Sequence, residues 1–385
     1  MKQEYENICQ LLTMDKENAK LGLEMLKGQS KELKAAILER FKPLLDAFGK
    51  STIRSIPTIL EKVAKDKLSL KERAGVWGFS PLCEKIDKID IYGTKWKTLP
   101  ATIGKLKNLE SLELVDNELE TLPETIKDLA ALEKLNISFG PLKKIPNVLD
   151  GLTNLKVCRL AGTGNNLKNV PDSIGKLKQL EKLLLFQNSL EELPATIGDL
   201  DQLKELSVWS NKIKKLPSSI GQLKQLKSLD ISANKLTELP ETIANLSELE
   251  YLTIINNPLP KTPEFIGELS NLRQLKISLP FDGVNKLKQL KKLMITDKHL
   301  VSLPLALGGL ESLELLDLKS EALTTIPSAI LEKLPNLKLI SVHYRAKISY
   351  QEIEELSKQF PSIVFHKLQF YSNGEILSNY SVSRW

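Results

Sequence analysis

The sequence predicts an α/β solenoid built on a long parallel sheet, and three observations carry that prediction. A unit of about 23 residues recurs from Leu99 to about Tyr350, reading Leu-Pro-x-x-Ile-Gly-x-Leu-x-x-Leu-x-x-Leu-x-Leu-x-x-Asn-x-Leu. Leu-Pro punctuation falls at Leu99-Pro100, Leu122-Pro123, Leu193-Pro194, Leu216-Pro217, Leu239-Pro240 and Leu303-Pro304, with variants at Ile145-Pro146, Val170-Pro171, Thr262-Pro263 and Ile326-Pro327. Asn117, Asn188, Asn211, Asn234 and Asn257 hold one further position in register with these marks. A fixed period of this size marks units that bury an apolar face only by stacking on their neighbours. Such arrays expose an extended concave surface, which usually binds.

Residues 1–75 stand apart as short amphipathic segments. Asp15 caps one that runs through Leu26 with Gly28 as its stop. Leu33, Ile37, Phe41, Leu45 and Phe48 fall near helical spacing in a second, which Pro43 should break or kink. Ile59, Leu60 and Val63 follow Pro57 in a third. This region is expected to be an N-terminal helical cap over the first coil or a small helical domain. Trp77 and Trp96 near the junction favour packing against the solenoid.

The solenoid is expected over 76–350, about 12 coils, the first of them degenerate: Ile86, Ile89, Ile91 and Trp96 precede Leu109, Leu112, Leu114 and Leu119 by one period. In the coil 99–121, Leu112 and Leu114 lie two apart and point inward from a strand, while Ser111, Glu113 and Val115 point outward. Strands stacked at ~4.8 Å build one parallel sheet. The repeated Asn should bridge adjacent coils through backbone groups, because a buried amide needs partners for both ends. Its flanking buried leucines argue against a ligand row. Proline after the leucine removes a backbone donor and favours an extended turn. Gly104, Gly175, Gly198, Gly221 and Gly267 are expected to permit a tight turn on the convex side. Two coils depart in length: AGTGNN adds two residues to the unit 145–169, and the unit from Thr262 is cut to about 17 before Leu279-Pro280, where local curvature should change. Residues 351–385 read as a helical stretch followed by a hairpin about Asn373-Gly374, a C-terminal cap on the sheet edge.

These motifs resemble the leucine-rich repeat superfamily, and the period is similar to its 23-residue bacterial class and to the intracellular Ras-group repeats. The resemblance covers roughly residues 81–350. It implies a leucine-rich repeat horseshoe with strands on the concave side and a recognition scaffold as the function. Gly140, Lys298 and Glu321 replace the repeated Asn, so those coils should be less regular.

Composition narrows the function further. Net charge is +6 over 385 residues, and residues 1–80 carry 15 Lys/Arg against 11 Asp/Glu. Neither value has the concentration of a dedicated nucleic-acid binder. Cys9, Cys83 and Cys158 are an odd, scattered set with no Cys-x-x-Cys, which argues against a disulfide framework or a zinc knuckle. No signal-peptide core and no apolar run of membrane length occur, so a cytoplasmic protein is expected, with a secreted effector as the alternative. His299, His343 and His366 have no metal-binding spacing, HExxH and GxSxG are absent, and AGTGNN lacks the GxxxxGK[ST] context of a phosphate loop. No catalytic, cofactor or metal residue is assigned, and no enzyme activity is expected.

The outward strand positions are free of the fold's demands and therefore informative. Phe186 and Trp209 are neighbours in one such row, with Leu184, Tyr251 and Ile255 close on the same face. Exposed aromatic clusters mark binding hot spots. The expected contact centre for another protein lies over 170–261, rimmed by Glu205, Asp230, Lys182 and Arg159. The convex lysines, densest at Lys286, Lys288, Lys291 and Lys292, read as a solvated surface. The groove lacks the basic and aromatic interleaving of single-strand stacking. A partner that is itself an enzyme, or a single target neutralised by this chain, stays open, as does the oligomeric state.

Overall fold

A computed structural model describes residues 87–367, apart from 94–96, 100, 163, 165 and 279–281. The expected helices of 1–75, Trp77, Trp96, Leu279-Pro280 and the hairpin about Asn373-Gly374 lie outside the described residues.

Alternation along short strands sorts the side chains. In β2 (Ser111–Val115), Leu112 and Leu114 are fully buried while Ser111, Glu113 and Val115 stay partly exposed. The same rule builds β3 (Lys134–Ser138) and β4 (Val157–Ala161), which belong with β1 (Lys88–Tyr92) to a first unit. A second unit holds β5 (Lys182–Leu184), β6 (Glu205–Ser207), β7 (Ser228–Asp230), β8 (Tyr251–Thr253), β9 (Gln274–Ile277), β10 (Lys292–Ile295), β11 (Leu315–Leu318), β12 (Leu339–Val342) and β13 (Val364–Lys367). Within each unit every strand pairs in parallel with its sequence neighbour. The parallel solenoid expected from the repeat is present, and its pairing continues past residue 350 to β13, where Ile340 lies opposite Phe365.

The return arc of most coils is a 3₁₀ turn of five residues, such as Ala195–Asp199 and Ser218–Gln222. Pro194 and Pro217 precede these turns with φ of −67°, where their missing N–H costs nothing because the first turn leaves that donor unpaired. The chain then re-enters the core through a buried leucine: Leu200 N–H donates to Ile197 O at 3.3 Å. One late coil uses a short helix instead, α1 (Ser328–Leu331). A longer one, α2 (Tyr350–Gln359), is capped by Ser349, whose Oγ accepts from Glu352 N at 3.0 Å, and buries Ile353 and Leu356 on one face.

The repeat glycines have a different reason from the one the sequence suggested. None of the five has positive φ. They lie where one 3₁₀ turn stacks on the next: a Cβ on Gly198 would stand 2.5 Å from the Ser219 carbonyl oxygen and 2.7 Å from Ser219 Cβ, and one on Gly175 would stand 2.5 Å from Thr196 O. Close stacking of adjacent coils, not turn dihedrals, excludes a side chain. Where Ala244 takes this position it is half-buried rather than closed over.

Left-handed backbone occurs one residue before the repeated Asn. Asp116, Gln187, Ser210, Ala233 and Asn256 have φ between 50° and 57°, and Phe139 before Gly140 has 57°. Gly162 holds the equivalent place after β4 with φ 106°. This twist turns the backbone out of the strand and aims its N–H at the next coil: Gln187 N donates to Trp209 O at 2.9 Å and Ser210 N to Ser232 O at 3.0 Å.

The repeated Asn forms the expected ladder. Asn234 Nδ2 donates to Val208 O, Ile231 O and Ser232 O at 3.0–3.1 Å, and its Oδ1 accepts from Ile213 N at 3.1 Å. Asn211 and Asn257 repeat the pattern. At Gly140 the next coil packs so closely on the Asn117 carbonyl that a Cβ would not fit. Near Glu321 the role passes to Ser320, whose Oγ donates to Leu300 O at 2.9 Å. The shortened coil loses the ladder segment but keeps strand register, with Leu275 opposite Leu293.

Candidate functional site

The sheet face of β5–β8 gathers the expected aromatic cluster. Phe186 follows β5 and Trp209 follows β6, each just ahead of its left-handed residue. Their rings stack with centroids 5.2 Å apart and planes within 12°. Both backbones are pinned from beneath: Asn188 Nδ2 donates to Phe186 O at 3.3 Å, and Trp209 O accepts from Gln187 N at 2.9 Å. The two rings stay half-buried, as do Leu184 and Ile255, while Tyr251 is 44% exposed. The sequence thus brings Phe186, Trp209, Leu184, Tyr251 and Ile255 onto one face of the second unit. The stacked pair leaves part of each ring at the surface above a hydrogen-bonded backbone frame.

The polar rim divides. Lys182 Nζ and Glu205 Oε2 lie 2.9 Å apart across β5 and β6. Asp230 Oδ1 accepts from Ser232 N at 3.0 Å and from Ser232 Oγ at 2.5 Å. Arg159 belongs to the first unit, where its Nε donates to Ser138 Oγ at 3.1 Å.

Sequence reasoning missed Asp317 on β11. It occupies an outward strand position, yet it is fully buried. Lys319 Nζ approaches Oδ1 to 3.2 Å, but no described group donates a well-directed hydrogen bond to either carboxyl oxygen. The in-register Ser341 Oγ is likewise buried without a partner in that geometry. Burial pushes the Asp317 carboxyl above the usual carboxylate range, against the opposing pull of Lys319. Nearby His343 is pushed below its ordinary value, first by burial and then by Lys319 and Arg345, against the opposing pull of Glu321. No local spacing distinguishes Asp317 from the other outward polar residues. The groups that act on it come from several strands, Lys276 of β9 and Ser341 of β12 among them.

The convex lysines pair with glutamates on neighbouring coils: Lys286 with Glu268 at 2.6 Å, Lys288 with Glu311 at 2.7 Å and Lys291 with Glu314 at 3.3 Å. Such exposed pairs contribute little each. A groove of about 740 Å³ on the flank of the second unit is lined by Lys168, Glu191, Glu192, Lys214 and Lys215 with a few apolar neighbours. Among the described residues, no three His, Cys, Asp or Glu side chains are placed to hold a metal ion, and no helix is long and apolar enough to cross a membrane. Cys158 is a core residue of β4 whose thiol burial pushes up to about 12.

Comparison with known proteins agrees with this architecture. A family model described as a leucine-rich repeat region matches residues 88–187 and again 165–281. Among solved structures, a leucine-rich repeat protein of Leptospira interrogans is 30% identical with a TM-score of 0.67, over 74% of this chain and 73% of that one. The PEPR1–AtPEP1 complex is 28% identical with a TM-score of 0.51, over 70% of this chain and 43% of that one. InlJ of Listeria monocytogenes shares the fold, at 19% identity and a TM-score of 0.58 over 77% of this chain and 60% of that one. No curated protein matches.

Proposed function

Because the chain belongs to the leucine-rich repeat family, we propose that it is a non-enzymatic recognition protein that binds another protein through the sheet face of β5–β8. One observation carries the reading: the stacked Phe186–Trp209 pair, half-buried on the outward face where the fold itself requires no aromatic residue. Interface energy concentrates in such anchors, and truncating a Trp or Tyr hot spot costs about 2 kcal/mol or more, roughly 30-fold in affinity. PEPR1 holding AtPEP1 gives a similar scaffold with a bound partner. An odd cysteine count and a free, buried Cys158 support a reducing, cytoplasmic setting.

The test compares wild type with the Phe186→Ser/Trp209→Ser double variant as bait, followed by titration of any purified prey. A partner captured by wild type and lost by the variant, with the thermal transition of the bait unchanged, is the expected result. A prey that binds both baits with equal affinity refutes the assignment of the face.

A further inference from the structure

The β5–β8 face carries one carboxylate that no cation among the described residues neutralises. Three charged side chains face out there: Lys182, Glu205 and Asp230. The first two close on each other at 2.9 Å. Asp230 makes no ion pair among the described residues. Its Oδ1 is occupied by Ser232, whereas Oδ2 receives no donor from the described residues. The nearest lysine in its own column is Lys276, reached through Thr253 two strands away, or roughly 10 Å at the usual strand spacing.

Asp230 also stands beside the stacked aromatic pair. Val208 N donates to Asp230 O at 2.9 Å, so Trp209 and Asp230 project onto the same face from adjacent strands in diagonal positions. Ser232 lies in Trp209's own row, joined to it through Ser210 N and Ser232 O at 3.0 Å. The short Ser232 Oγ bond therefore draws the carboxylate toward the indole. A free carboxylate oxygen next to a flat π-surface suits a planar cation, which stacks on the ring while donating to the oxygen.

We propose that Asp230 and Trp209 form the seat of an arginine side chain presented by an extended segment of the protein partner. The reading rests on the proposed binding face and adds the chemistry of its ligand. A guanidinium fits better than an ammonium because it combines a stacking plane with directed donors. Ser232 acts as a positioning residue that fixes the carboxylate before the ligand arrives.

The experiment pans a displayed random-peptide library against the full chain and against Asp230→Asn, a substitution that keeps the Ser232 bond. Peptides won by wild type should be enriched in arginine beside an apolar residue. Replacing that arginine by alanine should weaken binding at least tenfold, and replacing it by lysine several-fold. Asp230→Asn should weaken the arginine peptide about tenfold and leave its alanine version unchanged, a coupling that a merely structural role would not produce. Winners without arginine enrichment that still depend on Phe186 and Trp209 overturn the arginine seat and leave the binding face standing. Winners indifferent to Phe186 and Trp209, or no enrichment over a blank surface, overturn both.

Discussion

Replacing Asn211 with alanine tests the ladder and the candidate site together. The amide engages four backbone groups: Nδ2 donates to Leu185 O at 3.0 Å, Val208 O at 2.8 Å and Trp209 O at 3.4 Å, and Oδ1 accepts from Leu190 N at 3.0 Å. These losses are unequal. Leu185 O keeps the Asn188 amide at 2.9 Å, and Val208 O keeps the Asn234 amide at 3.0 Å. Leu190 N, on a fully buried residue, has no substitute. The two amide hydrogens, shared among three carbonyls, are lost at about 1 kcal/mol each, and with an orphaned buried N–H at about 1–3 kcal/mol this gives a destabilisation of roughly 3–5 kcal/mol. Urea unfolding followed by circular dichroism measures the global effect. Because stacked repeats can open locally, amide exchange at Leu190 should also accelerate sharply in the variant. A loss below about 1 kcal/mol, or a Leu190 amide that stays protected, would refute the claim that the ladder carries this load.

Three further outcomes follow from the same geometry. Gly198→Ala should cost about 1–3 kcal/mol through displacement of the Ser219 carbonyl, whereas Ala244→Gly should change stability by less than about 1 kcal/mol; equal effects in thermal melts would contradict the stacking argument. Asp317→Asn should be at least as stable as wild type at pH 7. The Asp317 carboxyl is raised above its unfolded value, so its contribution is intact below the ordinary carboxylate range and is lost as pH rises through the folded value. The advantage of the variant should accordingly grow between about pH 4 and 7, and a gap that shrinks over that range in urea titrations would reverse the assignment. In a Cys9→Ser/Cys83→Ser background, Cys158 should resist alkylation at pH 8 until denaturant is added, since burial holds its thiol up at about 12; rapid native labelling would contradict its place in the core.

Much of this was legible because the period converts sequence neighbours into spatial ones. Knowing that Phe186 and Trp209 lie one coil apart is enough to place them side by side, and their stacking at 5.2 Å follows. The paired leucines of each strand and the bonding of the repeated Asn were legible for the same reason. The left-handed position was not. Asp116, Phe139, Gln187, Ser210, Ala233 and Asn256 share no side-chain property, because the backbone exit beneath the ladder imposes the conformation whatever residue stands there. The glycines were misread because their constraint lies in the next coil, at Ser219 and Thr196, and not in their own dihedrals. Asp317 escaped notice because the groups that act on it come from several strands at once.

Coil length and strand register are independent in the second unit. Leu275 meets Leu293 across an eighteen-residue return, Leu206 meets Leu229 across the common period, and Val342 meets Lys367 across a return of twenty-five. The short coil gives up its ladder segment while keeping a five-residue 3₁₀ turn, and the last return lengthens through α2, yet the outward columns stay aligned in both. The face is thus an editable array. A segment lifted from one coil's strand can replace another's without re-engineering the arc behind it, and new specificities can be assembled column by column on an unaltered hydrophobic spine.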